Sequence, residues 1–205
     1  MPAQTESSTT LKQAEVEAII QHASNGELEA MQRKIRDAAE NLNTSVFSMI
    51  TNHVVDAGGQ TVMHHAAANG RTNILNFVRR NGASREEKDK RGWTAVHTAF
   101  AEERLGAAMW LIQQGADVDA TTNQGNTALH LVAKRDWFQG CEALLKANCN
   151  ATVHNMNGVQ AWHVADLNGN DAVSAALMEK GLGFMVPYPD YDWHAIEDET
   201  NEYYE

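Results

Sequence analysis

The strongest constraint on the fold is a four-residue block that returns every 33 residues: Thr61-Val62-Met63-His64, Thr94-Ala95-Val96-His97, Thr127-Ala128-Leu129-His130 and Gln160-Ala161-Trp162-His163. A glycine stands two residues before each block, at Gly59, Gly92, Gly125 and Gly158. A small or turn-forming residue closes each unit, at Gly82, Gly115, Asn148 and Gly181. Self-similarity at such a period marks a stack of supersecondary units, each with too little apolar surface to fold alone. Within the units, Ala66-Ala67, Ala99, Ala133 and Ala165 mark close helix packing. Ile74, Phe77 and Val78 are matched by Ala107, Trp110 and Leu111, by Gly140, Ala143 and Leu144, and by Val173, Ala176 and Leu177. That spacing predicts a second helix with one apolar face. The block itself predicts a helix start: its threonine can cap a free backbone N–H, and the histidine three residues on can bond the threonine or the neighbouring loop backbone.

The pattern resembles the ankyrin repeat, whose signature Thr-Pro-Leu-His-x-Ala belongs to a β-turn followed by two antiparallel helices. The best unit runs from Gly59 to Gly70 and on to Asn81-Gly82-Ala83, and Gly115 to Ala120 is the clearest hinge. The resemblance covers residues 56–182 and implies an all-α solenoid of stacked helix pairs joined by β-turn fingers. Departures are visible. No unit has the signature proline, Gln160 replaces a threonine, and Glu103 and Asp136 stand where a glycine usually starts the turn between helices.

Upstream, Leu11 to Ala23 and Leu28 to Ile35 read as a helix pair around the Asn25-Gly26 turn. Ala23-Ser24-Asn25-Gly26 parallels Ala67-Ala68-Asn69-Gly70 at a separation of 44, one period plus 11. The chain therefore divides into a disordered N-terminus (1–10), a degenerate capping repeat with an enlarged loop from about Ala39 to Val55 (11–55), four repeats (56–182) and a tail (183–205). Val46-Phe47-Ser48-Met49-Ile50 is too apolar for a free loop and is expected to pack under the first full repeat, with a partner-docking tongue as the alternative. Asp171 to Lys180 closes the array, and Gly181 to Pro187 departs from it.

The formal net charge is −11, but it is unevenly spread. Residues 1–186 carry 16 basic and 20 acidic side chains, whereas residues 187–205 carry 7 acidic ones and neither Lys nor Arg. The same tail holds Tyr188, Tyr191, Trp193, Tyr203 and Tyr204. A solubilising terminus has no use for five large rings, so docking on the protein's own repeats or on a basic partner stands beside the solvated reading. The acidity disfavours duplex nucleic acid and anionic membranes as partners. A polar start and the lack of long apolar runs point to neither a signal peptide nor a membrane span. Two cysteines at no metal spacing, Cys141 and Cys149, suit a reduced, cytoplasmic protein, although a nuclear or other intracellular site fits as well.

No sequence pattern for catalysis is present: no HExxH, GxSxG, phosphate-binding glycine loop or CxxC. His64, His97, His130 and His163 recur in helices about 8–10 Å apart, too far to share a zinc held at about 2 Å, and read as structural. His65 lacks a second ligand, and Cys141 reads as core. The chain is therefore expected to be a non-enzyme without cofactor or metal. Its expected role is to bind a protein, a basic one among the candidates, through a concave face of finger tips and first helices. The tips comprise Ala57, Gly58 and Gln60; Lys90, Arg91 and Trp93; Asn123, Gln124 and Asn126; and Met156, Asn157 and Val159. The first helices add Ala68 and Asn69, Ala101 and Glu102, Lys134 and Arg135, and Leu167 and Asn168. Trp93 beside Lys90 and Arg91 has the composition of a hot spot, unless its ring folds against the next tip. With Lys134, Arg135 and Trp137 it forms a basic, aromatic patch suited to an acidic partner segment or to the protein's own tail. The protein then acts as adaptor, escort or assembly subunit, either monomeric alone or part of a hetero-complex. In one version the tail wraps a basic partner; in the alternative the chain is a structural subunit with no tail-mediated recognition.

Overall fold

The computed structural model describes residues 11–46, 48 and 54–179. Each 33-residue unit is a finger, a short helix, a tight turn and a second helix. Before the first finger come α1 (Gln13–Asn25) and α2 (Leu28–Asn41). The four units supply α3 (Val62–Ala68) with α4 (Thr72–Arg80), α5 (Ala95–Ala101) with α6 (Leu105–Gln113), α7 (Ala128–Lys134) with α8 (Phe138–Lys146), and α9 (Ala161–Leu167) with α10 (Asp171–Glu179). The described residues hold no strand beyond a single bridge between Val55 and Thr61. The architecture is an all-α repeat solenoid.

Helices of seven to nine residues are too short to persist in water by themselves, so their stability comes from packing. The first helices form one row, α1 on α3, α3 on α5, α5 on α7 and α7 on α9, and the second helices α4, α6, α8 and α10 form another. Ala66, Ala67, Ala99, Ala133 and Ala165 are fully buried between rows, where a larger side chain would force the helices apart. In the second row, Ile74 and Val78, Ala107 and Leu111, Gly140 and Leu144, and Val173 and Leu177 face inward, as the spacing predicts. Phe77 and Trp110, between them in the pattern, are half-buried at its edge.

The start of the chain differs from expectation in its bounds. The first helix is displaced by two residues, and α2 runs six residues beyond Ile35 to Asn41. Its apolar stripe continues from Met31 and Ile35 into the buried Ala38 and Ala39, so the loop begins at Leu42 rather than Ala39. Val46 is half-buried against the core. Phe47, Met49 and Ile50 lie outside the described residues, as do Lys180 and the whole of 181–205.

One turn recurs in all five helix pairs. Gly26, Gly70, Glu103, Asp136 and Gly169 take left-handed backbone angles, with φ of 82, 68, 54, 52 and 66°. In each, the next N–H returns to a carbonyl of the preceding helix: Glu27 to His22, Arg71 to Ala66, Arg104 to Ala99, Trp137 to Val132 and Asn170 to Ala165. The fold thus enforces at Glu103 and Asp136 a conformation that L-residues adopt at a cost of about 1–2 kcal/mol. At Asp136 a carboxylate oxygen offsets part of that cost by accepting the Val173 N–H at the start of α10, 3.2 Å away. Glu103 is exposed. Replacement Glu103→Gly should therefore stabilise the protein by roughly 0.5–1 kcal/mol in urea denaturation, whereas Asp136→Gly should bring no gain.

Candidate interaction face

The finger row is built by side chains that satisfy backbone groups across units. Thr61 donates its N–H to His64 Nδ1 at 3.1 Å, with its hydroxyl 2.9 Å from the same nitrogen, and His64 Nε2 lies 2.9 Å from the Trp93 carbonyl of the next finger. His97 does the same for Thr94 and the Asn126 carbonyl, and His130 for Thr127 and the Val159 carbonyl. Because the threonine N–H can only donate and the carbonyl only accept, Nδ1 is unprotonated and Nε2 carries the hydrogen. Burial accordingly holds all three histidines below their ordinary pKa, and it pushes His97, 1% exposed, down to about 4. In the fourth unit Gln160 takes the threonine's place and its amide oxygen accepts the indole N–H of Trp162, whose ring stacks on His163 at 3.7 Å.

Backbone bonds tie finger to finger in the same register. The N–H of Lys90 bonds the Gly58 carbonyl, that of Asn123 the Arg91 carbonyl and that of Met156 the Gln124 carbonyl, all at 2.9–3.0 Å. This close approach requires glycine: at Gly92, with φ of 77°, a Cβ would stand 2.5 Å from the Asn123 nitrogen.

Three further series run at the same period and were not singled out from sequence. The base of each finger is closed by Asp56, Asp89, Thr122 or Asn155, three residues before the glycine. Asp89, 5% exposed, accepts the N–H groups of Arg91 and Trp93 at 2.9 and 2.8 Å. Asp56, Thr122 and Asn155 accept the N–H groups of Gln60, Asn126 and Val159. At the opposite edge, Arg71, Arg104 and Asn170 reach back to the carbonyls of Ser24, Ala68 and Lys134 in the preceding unit. Behind the fingers, Glu86 and Asp119 accept the N–H groups of Asp117 and Asn150. The readable signal was a short polar residue or a long donor recurring at a step of 33.

The residues expected to face a partner fall into two strips. On the fingers, Lys90, Asn123, Gln124 and Met156 are exposed, while Arg91, Trp93, Asn126 and Asn157 are half-buried. Arg91 pairs with Asp89 at 3.1 Å and covers the Trp93 ring at 4.2 Å, so this ring is roofed by its own finger. Asn126 is engaged with Asn155 and Gln124. Val159, expected at a tip, is buried at 5% because it follows the turn and enters the core edge; Ala101 is buried as well. At the far end of the first helices lie the exposed Asn69, Glu102, Lys134, Arg135, Leu167 and Asn168. A seven-residue helix spans about 10 Å, so Lys134 and Arg135 do not join Trp93 in one compact patch. Trp137 belongs to neither strip. It occupies the position of Arg71 and Arg104, is half-buried against Phe100 at 5.8 Å between ring centres, and covers Gly140, where any Cβ would collide with the indole.

Chemistry other than binding finds little support in these groups. His65 Nε2 lies 2.9 Å from Asp56 of its own finger. Burial raises the Cys141 thiol to about 11 and Cys149 to about 12, far from nucleophilic. Among the described residues no three His, Cys, Asp or Glu side chains are placed to hold a metal ion, and no helix is long and apolar enough to cross a membrane.

A family model described as ankyrin repeats (3 copies) matches residues 19–122 and again 107–186. No curated protein matches the chain. The chain belongs to the ankyrin-repeat family, whose members generally mediate protein–protein interaction and are typically non-catalytic.

The ladder predicts a pH response. Between about pH 6.5 and 4 the unfolded chain holds a proton on His97 that the folded state refuses, so stability falls as pH drops through this window and levels off below it. His97 alone should contribute a loss of about 3 kcal/mol. Denaturation midpoints measured from pH 7.5 to 4 should show this slope, and it should be shallower in His97→Gln.

Proposed function

From membership of the ankyrin-repeat family, we propose that this protein is a non-catalytic interaction module that grips a protein partner along the finger tips and first helices. The observation that supports this most is the finger row itself. Lys90, Asn123 and Met156 occupy one exposed position in successive fingers, each on a backbone locked to its neighbour, with the Asn123 amide laid back on the Lys90 carbonyl at 2.8 Å. A backbone held in this way loses little entropy on binding, and a rigid row of tips suits a surface rather than a small molecule. The tip side chains are a cation, an amide and a thioether, flanked by Gln124 and Asn157, so the row suits a mixed polar and apolar protein surface. As adaptor, escort or assembly subunit, the chain would present this face from the cytoplasm. The acidic tail would add a second contact, to a basic partner or to the array itself.

Affinity capture from cell extract, quantified by mass spectrometry, tests the reading. The double variant Lys90→Glu/Met156→Asp should lose its specific partner about tenfold or more with an unchanged unfolding midpoint. The outer-helix control Glu142→Ala/Lys146→Ala, which removes only a solvent-exposed ion pair, should retain it. Equal capture by the finger variant refutes the concave face as the binding surface.

A further inference from the structure

The concave face changes character along the array. At the position after the ladder histidine, successive units carry His65, Thr98, Leu131 and Val164; at the end of the first helix they carry Ala68, Ala101, Lys134 and Leu167. His65 leans on Asp56 of its own finger, which places this row on the finger side. The first two units therefore offer little apolar surface here, since His65 and Ala68 are half-buried and Thr98 and Ala101 are buried. The last two offer an apolar strip in which Leu131 and Val164 are half-buried, Leu167 is 44% exposed and Met156 is 77% exposed. Exposed Lys134 and Arg135 rim its far end, one helix step from Leu167. The Asn170 amide bonds the Lys134 main-chain carbonyl, which ties the backbone of this rim to the turn of the last unit.

We propose that this strip is the docking site for the chain's own C-terminal segment, residues 187–205. The inference rests on reading the concave face as the recognition surface and assigns its C-terminal half an occupant. Two arguments single out that segment. Its chemistry is complementary: Tyr188, Tyr191 and Trp193 supply rings for Leu131, Val164, Met156 and Leu167, and the interleaved Asp190 and Asp192 supply carboxylates for Lys134 and Arg135. A basic partner would meet like charge here. Its tether also suffices. Tyr188 is nine residues beyond Glu179, the end of α10, a reach of up to about 30 Å. Neighbouring units are about 10 Å apart, so every part of the strip is within range. An intramolecular segment this close acts at roughly millimolar effective concentration, which a free peptide in the cell does not match. A partner that uses the same strip must first displace the tail, making the segment a competitor built into the chain.

Hydrogen exchange on the full-length protein tests the proposal. Peptides spanning residues 187–193 should exchange about tenfold or more slowly than in the variant Lys134→Glu/Arg135→Glu/Leu167→Asp, whose substitutions lie at exposed positions. In a second arm, Tyr191→Ser/Trp193→Ser, which leaves the repeats untouched, should raise hydroxyl-radical oxidation of Met156 about threefold or more. Exchange of the wild-type segment at the intrinsic rate overturns the proposal, as does protection that survives in the strip variant or an unchanged Met156 oxidation rate. Slowing that scales with protein concentration, the mark of a second copy, or that arises only when a basic protein is added, overturns it too. No partner is needed in either arm, so tail docking can fail while partner capture by the fingers stands, and the reverse.

Discussion

The structure depends on one interaction made three times: a neutral imidazole that caps its own helix and holds the next finger. His64, His97 and His130 each accept a threonine N–H at Nδ1 and donate from Nε2 to a carbonyl 29 residues ahead. No other side chain offers an acceptor and a donor at opposite ends of a rigid ring at neutral pH. Each net hydrogen bond contributes only about 1 kcal/mol. The greater consequence is geometric: the ring length sets how far the next finger stands, and every unit inherits the same offset. Finger-to-finger backbone bonds, the buried alanines and the glycine turns all presuppose that offset. A buried acceptor nitrogen opposite a backbone N–H leaves no room for a second proton, which is why burial and hydrogen bonding together make the stack sensitive to acid.

The departures from the repeat are local exchanges of one way of satisfying a group for another. Trp137 stands where an arginine elsewhere reaches back to the preceding unit. The polar staple is replaced by apolar contact with Phe100, and Gly140 opens the space. Gln160 gives up the threonine's place at the ladder and instead orients Trp162 through its indole N–H. Asp136 tolerates a left-handed backbone and in return holds the start of α10. Glu103 is the one left-handed residue of the series whose side chain reaches no such group.

Much of this was legible in the sequence because the fold is periodic and the period was intact. Thr94, His97 and Gly92 announce their roles by returning at the same step, and the apolar face of each second helix follows from spacing alone. What escaped was of two kinds. Polar residues that vary in type while keeping one job, such as Asp89, Thr122 and Asn155 at the finger base, look like tolerated variation until their shared acceptor geometry is seen. Large residues read one at a time also mislead. Trp137 beside Lys134 and Arg135 has the composition of an exposed hot spot, and only the distant Phe100 and Gly140 reveal its packing role. Trp93 joins the two cases, half-buried under Arg91 yet lending its backbone carbonyl to the ladder. The length of α2 was missed because its buried stripe continues through alanines, which carry too little hydrophobicity to mark a face.

Because backbone bonds and buried side chains fix the stack, the residues that face solvent on its concave side are nearly irrelevant to stacking. They are free to differ from unit to unit without cost to the fold, since stability in such an array is a sum of nearest-neighbour terms. That freedom has been used unevenly. The first two units keep His65 tied to Asp56 and a small or polar face, whereas the last two collect Leu131, Val164, Met156 and Leu167 with two cations at the rim. Apolar side chains left in water contribute nothing to folding and invite nonspecific association. Their concentration in one half of one face, the half followed in sequence by a segment of seven acidic residues and five rings, is not explained by stability. The proposed docking of that segment accounts for it, with the apolar strip as its seat.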